Sequence, residues 1–426
     1  MNWERAGSVI APALGEKEAR LEAFVRDNLI EANGLVLSFV DAATGRPFSA
    51  DEFGPDVDRM RHPPSLGTDD FGSYFAYENC GMCTGAWLTT QVLKYQVTKD
   101  VTALRTAREA FEAIRNLYEC SQAVAPGFFS KFHNGRISPE ISTDQCLYAV
   151  WGLDQFSAFA MAAEQKEIVH IICGIADFWI DRGYKHPYRD RDFEWPWPPN
   201  RFPPLLWLAW RHSGRQKYFD EFERLSSMDA VRDLPPFFST TLSKWRESPI
   251  AGISHWPFKL EQAAQGQLSL APMLLYNAPN RPLWLSHLRE LIVSCMPDLG
   301  DDCLGRGDFV FDEETATARE VETPYHSGGI PNPVWEAKGF ISSARSGHSP
   351  TMFARALFAA DPLLPEYDWK FAAWRILETL DLPDMLLKID NQKHLPVNQA
   401  WLTRCLSGDA VVNWLWSYWL AKLQGQ

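Results

Sequence analysis

Two short stretches of the sequence carry acidic residues where a helical pattern begins. Asp144 lies in "ISTDQCLYAVWGL", and Glu78 lies in "YENCGMCTGAWL". Cleavage of a glycosidic bond uses two carboxyl groups, one that donates a proton and one that acts as base or nucleophile. We therefore predict that Asp144 and Glu78 form such a pair, with the adjacent Asn79 and Gln145 contacting the substrate.

The same residues have a plain structural interpretation. Ser142 and Gln145 fit a capping box, in which each side chain bonds a backbone N–H at the helix start. An acid in the first turn also favours the helix dipole. A helix start lowers a carboxyl pKa, whereas a general acid needs a raised one, so a second carboxylate or an apolar cover must act against the helix. The pattern predicts that Ser142 and Gln145 serve the helix, and that Asp144 serves both the helix and catalysis.

The segments from "ENCGM" to "STDQCLYAVWGL", about 80 residues, resemble the bacterial unsaturated glucuronyl and rhamnogalacturonyl hydrolases and related (α/α)6 glycosidases. The resemblance implies that one inner helix of a barrel opens on an acid. It also implies that an Asp opening a later inner helix acts as general acid and base on a vinyl ether. Asp144 matches the later position. The earlier position falls on Asn79, which is not acidic, with Glu78 next to it, so a branch that acts on saturated glycosides is an alternative.

Helical periodicity dominates the chain, and it indicates the elements that must position these residues. The predicted helices lie near 15–31, 80–98, 100–119, 142–163, 165–182, 203–213, 216–227, 259–277, 281–296, 350–360, 368–380 and 409–424. Short turns join several of them in pairs, and long connections rich in Gly, Pro and aromatic residues separate the pairs. This rhythm predicts an all-α (α/α)6 toroid of about twelve helices, with the site at the long-loop mouth. We expect one domain over 1–426, a loop insertion at about 297–348 that covers the mouth, and a small β-hairpin with "DFVFD" as one strand.

The long loops supply further candidate site residues. Guanidinium groups bind carboxylates, and aromatic faces stack on sugar rings. The alternative is a surface loop whose Arg and Asp residues pair with one another. The candidates for substrate binding are His186, Arg191, Trp195, Trp197, Arg201, His255, Trp256, Arg345 and His348.

Tyr325 and His326, in "ETPYHSGG", offer a different chemistry. In a lyase, a Tyr donates a proton and a His abstracts one beside a uronate carboxylate that an Arg neutralises. A lyase is therefore the alternative enzyme class, with these two residues as catalysts.

Composition limits the partners. A net charge of −13 argues against nucleic acid, because phosphate binding needs a basic surface. There is no apolar stretch near the ~20 residues of a membrane span and no secretory pattern at the start, so we expect a cytoplasmic protein without a membrane partner. The eight cysteines are interpreted as free thiols, because Cys80 and Cys83 form a lone CxxC without a second pair. We predict no metal and no cofactor, and the oligomeric state is left open.

Together these features predict a glycoside hydrolase that acts exo-wise on small oligosaccharides containing a uronic acid or a deoxy sugar. The expected partner is a small carbohydrate, and the 18 Trp residues fit sugar stacking. The alternatives are the lyase and a non-catalytic sugar-binding toroid, which Asn79 in place of an acid would fit.

Overall fold

The computed structural model describes residues 12–49, 52, 76–133, 136–138, 141–185, 201–229, 259–310, 341–387 and 404–425. These residues form twelve α-helices. The helices are α1 (Pro12–Phe24), α2 (Cys80–Thr98), α3 (Val101–Ser121), α4 (Thr143–Ser157), α5 (Ala162–Asp181), α6 (Pro203–Ser213), α7 (Gln216–Ser226), α8 (Lys259–Leu275), α9 (Arg281–Cys295), α10 (His348–Ala360), α11 (Trp369–Thr379) and α12 (Gly408–Gln424). The described strands are β1 (Phe39–Asp41), β2 (Phe132–His133), β3 (Arg136–Ile137), β4 (Gly305–Val310), β5 (Ile341–Ser346) and β6 (Cys405–Ser407).

The even-numbered helices form a closed inner ring. Each packs against the next even-numbered helix, and α12 packs against α2 to complete the circle. The odd-numbered helices pack outside them and run back from short turns. Helices α2, α10 and α12 are buried over most of their length, which explains why their sequences are apolar on nearly every face. The hydrophobic core therefore lies within the inner ring and between the two rings.

Glycines allow the first two inner helices to touch through their backbones. A Cβ atom added at Gly152 of α4 would lie 2.8 Å from the carbonyl oxygen of Gly85 in α2. A Cβ at Gly85 would collide with the carbonyl of Tyr148. Only hydrogen fits at these positions, so the two glycines determine how closely α2 approaches α4.

A small sheet joins the early part of the chain to its last helix. Strand β1 pairs antiparallel with β6, with Phe39 opposite Ser407 and Asp41 opposite Cys405. The Gly408 N–H then donates to the carbonyl of Ser38 at 2.6 Å. This contact holds the start of α12 beside the segment that leads to α2, and it closes the ring.

The predicted fold class is confirmed, and each of the twelve predicted helices overlaps an observed α-helix, although α4 ends at Ser157, six residues before its predicted end. The "DFVFD" strand is confirmed for its first residues, because β4 ends at Val310. Its partner is β5, which pairs Gly305 with Ser346 across a long connection. That connection, 311–340, lies outside the described residues, so the loop over the mouth and the single-domain boundary stay predictions.

Candidate functional site at the inner helix starts

Polar contacts join the first residues of neighbouring inner helices. The Gly81 N–H in α2 donates to Gln145 Oε1 in α4 at 3.2 Å. Asn79, just before α2, donates through Nδ2 to Asp409 Oδ2 in α12 at 3.1 Å. The starts of α2, α4 and α12 therefore meet at the same end of the barrel.

The remaining inner helices begin at the same end. His348, the first residue of α10, contacts Ser407 before α12 through Nδ1 at 2.6 Å. Its Nε2 lies 3.0 Å from Glu261 Oε2 in the first turn of α8. Arg201, just before α6, donates through Nη1 to Thr143 Oγ1 of α4 at 2.8 Å. All six inner helices thus start at one opening, which we call the mouth.

Asp144 caps its own helix. Its Oδ1 accepts the Gln145 N–H at 2.9 Å and also bonds the Ser142 hydroxyl. The predicted capping box is wrong, because Ser142 makes no side-chain bond to the helix backbone. The Gln145 side chain instead crosses to α2, where it also donates to the Glu78 carbonyl at 2.7 Å. Asp144 is partly exposed at the mouth.

Glu78 lies in a different environment. Its side chain is 2% exposed and forms an ion pair with Lys131, which is 3% exposed. A buried ion pair loses much of its stability if one partner is removed, because the other charge stays uncompensated. The Glu78 carboxylate is therefore neutralised in place by a lysine.

Arg201 lies in the field of two mouth carboxylates. Burial lowers the pKa of this guanidinium to about 10, and the negative charges of Asp144 and Glu261 act in the opposite direction. The interaction with Glu261 connects the start of α6 to the start of α8 and completes the circle of helix starts.

Both carboxylate oxygens of Glu261 are held. Oε1 accepts a hydrogen bond from Gln265 at 3.0 Å, and Oε2 faces His348. The Glu261 side chain is 15% exposed, whereas His348 is 2% exposed. Burial alone would lower the pKa of His348, but the charges of Glu261 and Asp409 outweigh it and raise this pKa.

Asp409 is a buried acid with uncharged hydrogen-bond donors. Its Oδ1 accepts the Cys83 thiol at 2.8 Å, and its Oδ2 accepts Asn79. Burial raises the pKa of Asp409 to about 7, against the effect of the nearby His348 charge. Burial also holds the pKa of Cys83 well above its usual value. Cys83 is thus a protonated thiol that packs in the core, and among the described residues no group of His, Cys, Asp and Glu side chains could hold a metal ion.

An arginine forms the floor of the site. Arg355 follows His348 by about two turns of α10. It donates to Gln267 Oε1 at 2.7 Å, to Asn413 Oδ1 at 3.1 Å and to the Ala264 carbonyl at 2.6 Å. Its guanidinium lies 4.6 Å from the Trp416 ring centre. These contacts tie α8, α10 and α12 together beneath the mouth.

The structure brings six of the predicted site residues to the mouth. They are Glu78, Asn79, Asp144, Gln145, Arg201 and His348. Arg345 lies in β5, where its backbone pairs with Arg306. The other predicted site residues lie outside the described residues; they are His186, Arg191, Trp195, Trp197, His255, Trp256, Tyr325 and His326.

Sequence reasoning missed Glu261, Ser407 and Asp409. Each lies at or before a predicted inner helix start, as Asp144 does, and that shared position was the available signal. An acid in the first turn is common in helices because it favours the helix dipole. Contacts across the mouth are therefore needed to distinguish an acid of the candidate site from one that only stabilises its own helix.

Solved structures of sugar-processing enzymes share this architecture. An unsaturated glucuronyl hydrolase specific for heparin superposes with a TM-score of 0.54 at 11% identity, over 97% of this chain and 96% of that one. A D-mannose isomerase gives a TM-score of 0.51 at 11% identity, over 99% and 100% of the two chains. A family 76 glycoside hydrolase (mannosidase) from Bacteroides thetaiotaomicron gives 0.52 at 8% identity, over 97% and 100%.

The chain is an (α/α)6 barrel. At these identities the likeness shows the fold, and the predicted resemblance to barrel hydrolases is confirmed at that level. No protein-family model and no curated protein sequence matches the barrel. In the part of the barrel that the structure describes, no helix is long and apolar enough to cross a membrane.

Proposed function

We propose that the barrel is a carbohydrate-active enzyme that hydrolyses a glycosidic bond of a small oligosaccharide. The observation that carries this proposal is the pair of carboxylates, Asp144 and Glu261, on two inner helices of one mouth. Both are partly exposed, and both act electrostatically on the buried Arg201. The fold supports the proposal, because several solved barrels of this kind process sugars.

The surroundings of the two acids suggest their roles. Glu261 is held on both oxygens by Gln265 and His348, which suits the ionised partner that activates water or attacks the sugar. Asp144 then donates its proton to the leaving oxygen and recovers it from water. Glu78 is a weaker candidate than Glu261, because Lys131 neutralises it away from solvent.

A second candidate is an isomerase or epimerase of free sugars. The contact between His348 Nε2 and Glu261 Oε2 favours it, because a histidine beside a carboxylate moves protons well near neutral pH. In this reaction the pair would transfer a proton between adjacent carbons of an open-chain sugar. A barrel of the same fold is a D-mannose isomerase.

The finer substrate assignment is also part of the proposal. We propose an exo-acting enzyme on substrates with a uronic acid or deoxy sugar, because Arg201 offers a guanidinium at the mouth and guanidinium groups suit carboxylates. The lyase with Tyr325 and His326 stays an alternative prediction, as does a sugar-binding barrel without catalysis.

The test is a substrate panel in deuterated water. Saturated and unsaturated uronyl oligosaccharides, neutral disaccharides and free monosaccharides are incubated with the protein. Reducing ends, absorbance of the conjugated alkene and deuterium at sugar carbons are followed together. Hydrolysis gives new reducing ends, isomerisation gives carbon-bound deuterium without them, and a lyase gives rising absorbance.

Three variants and one control assign the residues. Asp144→Asn and Glu261→Gln should each lower hydrolysis by at least ~100-fold, in line with the usual contribution of an acid or base. His348→Asn should abolish proton exchange if the barrel is an isomerase. Asp181→Asn, an exposed acid on the outer helix α5, is the control and should keep full activity. Hydrolysis that survives both carboxylate changes would refute the proposal, and binding without turnover on any substrate would point to a sugar-binding barrel.

A further inference from the structure

Ser407 makes two hydrogen bonds at the start of the last inner helix. Its Oγ accepts the Ala410 N–H at 3.0 Å, which caps α12. The same Oγ lies 2.6 Å from Nδ1 of His348. Ser407 is fully buried, so bulk water does not reach its hydroxyl group.

The direction of the second bond follows from counting hydrogens. A serine hydroxyl has one hydrogen to donate and lone pairs to accept with. In the described part of the chain, His348 Nδ1 is the single acceptor within reach of the Ser407 hydroxyl. If Nδ1 carried a proton, it would donate to Ser407 Oγ, and the Ser407 hydroxyl hydrogen would then be buried without an acceptor among the described residues, which is unfavourable. The Ser407 hydroxyl therefore donates, and Nδ1 accepts.

The other ring nitrogen must then carry the proton. Nε2 lies 3.0 Å from Glu261 Oε2, and an ionised carboxylate only accepts hydrogen bonds. A donated Nε2–H satisfies both groups. The ring is held between the two, and the backbone N–H of His348 is fixed by Ser346 Oγ at 3.1 Å.

We propose that Ser407 fixes the tautomer of His348 with its proton on Nε2, and that it thereby presents Glu261 as an ionised carboxylate at the mouth. Ser407 is a positioning residue, since it acts on Glu261 through His348. The catalytic consequence rests on the proposed function, because Glu261 is the base or nucleophile there. The tautomer itself does not depend on any substrate.

Ser407 also opposes the charges around the ring. Glu261 from α8 and Asp409 from α12 both favour the protonated imidazole, and burial disfavours it. A doubly protonated ring would place an N–H at Nδ1 against Ser407, whose own hydrogen would lose its acceptor. Removal of the hydroxyl should therefore raise the pKa of His348.

The test is nitrogen NMR of the full chain labelled with 15N-histidine. The barrel has ten histidines, and His348→Asn identifies the His348 signals by their loss. In the unaltered protein at pH 8 we expect a bare Nδ1 and a protonated Nε2. Ser407→Ala should shift the His348 titration upward by at least one pH unit or mix the two tautomers. Ser407→Thr keeps the hydroxyl and should restore the original signals.

A matched control distinguishes the effect of Ser407 on the His348 tautomer from the effect of losing a helix cap. Asp100 caps α3 in the outer ring by accepting the Thr102 N–H at 2.8 Å, so Asp100→Ala removes a cap far from His348 and should leave its signals unchanged. A protonated Nδ1 in the unaltered protein would overturn the proposal, even if Ser407→Ala failed to fold. Unchanged His348 signals in a folded Ser407→Ala would overturn it too. Absence of hydrolysis with the expected tautomer would count against the proposed function and not against the role of Ser407.

Discussion

Single residues at the mouth differ in what compensates their charge. Glu78 is paired with a lysine and Glu261 with a histidine, whereas the hydrogen-bond donors to Asp409 in the described part of the chain are an amide and a thiol. A carboxylate with neutral donors in a buried place holds its proton longer than one beside a cation. Asp409 therefore differs from the other two acids in its electrostatic surroundings, although all three surround the same opening.

Asp409 should make the stability of the barrel depend on pH. Its pKa is raised from 3.8 to about 7, so the folded chain binds a proton there that the unfolded chain has already lost. The associated stability is complete below pH 4 and is lost as pH rises toward 7, with an upper limit of about 4 kcal/mol. Asp409→Asn should gain stability over the unaltered protein between pH 5 and pH 8. Urea unfolding at both pH values measures this, and an equal difference at the two would contradict it.

The sequence predicted some of these residues and not others. Asp144 was predictable because an acid directly precedes a long apolar run. Asp409 has the same local pattern, but its contact with Asn79 was not predictable, because Asn79 lies 330 positions away. The local sequence pattern predicts the helix to which a residue belongs. The contacts between side chains of different helices become visible only in the folded barrel.

At the scale of helices, periodicity predicted the elements well because each inner helix is apolar on almost every face and each outer helix on one. The predicted capping box at α4 is absent because the Gln145 side chain bonds a different helix. This side chain accepts the Gly81 N–H and donates to the Glu78 carbonyl at the start of α2. The free N–H groups at a helix start can thus be bonded by a side chain of a neighbouring helix in place of a residue of the same helix.

Replacing Gly85 by Ala should separate α2 from α4. The new methyl group would collide with the backbone of α4, which cannot move as a side chain can. We expect a loss of about 3 kcal/mol in the free energy of unfolding. Gly425→Ala, at the end of α12, is the control, because its nearest atom would lie 3.5 Å away. Chemical denaturation compares them, and a Gly85→Ala as stable as the control would refute close backbone packing.

Lys17 of α1 should stabilise the end of α11. Its ammonium donates to the carbonyls of Leu377, Glu378 and Leu380 at 2.9–3.0 Å, at the end of α11 where helix carbonyls lack intrahelical partners. Lys17→Met should cost about 2 kcal/mol.

Lys370→Met is the comparison for Lys17, because Lys370 pairs with Asp361 near the surface and should matter by less than about 1 kcal/mol. Thermal unfolding of both variants ranks them. Equal effects would mean that Lys17 does not cap α11.

At the scale of the whole barrel, the start of α12 closes the ring against a distant, earlier part of the chain. Gly408 begins α12 directly against the backbone of Leu37, and no side chain fits there. Gly408→Ala should push α12 out of the ring while the earlier helices stay paired. Limited proteolysis should then release a C-terminal piece first, and a digestion pattern equal to that of the unaltered protein would contradict this.

All six inner helices point their N-terminal ends at the mouth, and each end carries a partial positive charge of about half a unit. The opening can thus accommodate an acid at any of six equivalent positions. Asp409 at the start of α12, bonded to Asn79, and Glu78 before α2, paired with Lys131, show two such positions used in different ways. A single substitution at a helix start can place an acid on one inner helix or another without rebuilding the fold. In the proposed enzyme, the position of the catalytic acid can therefore change while the architecture stays the same.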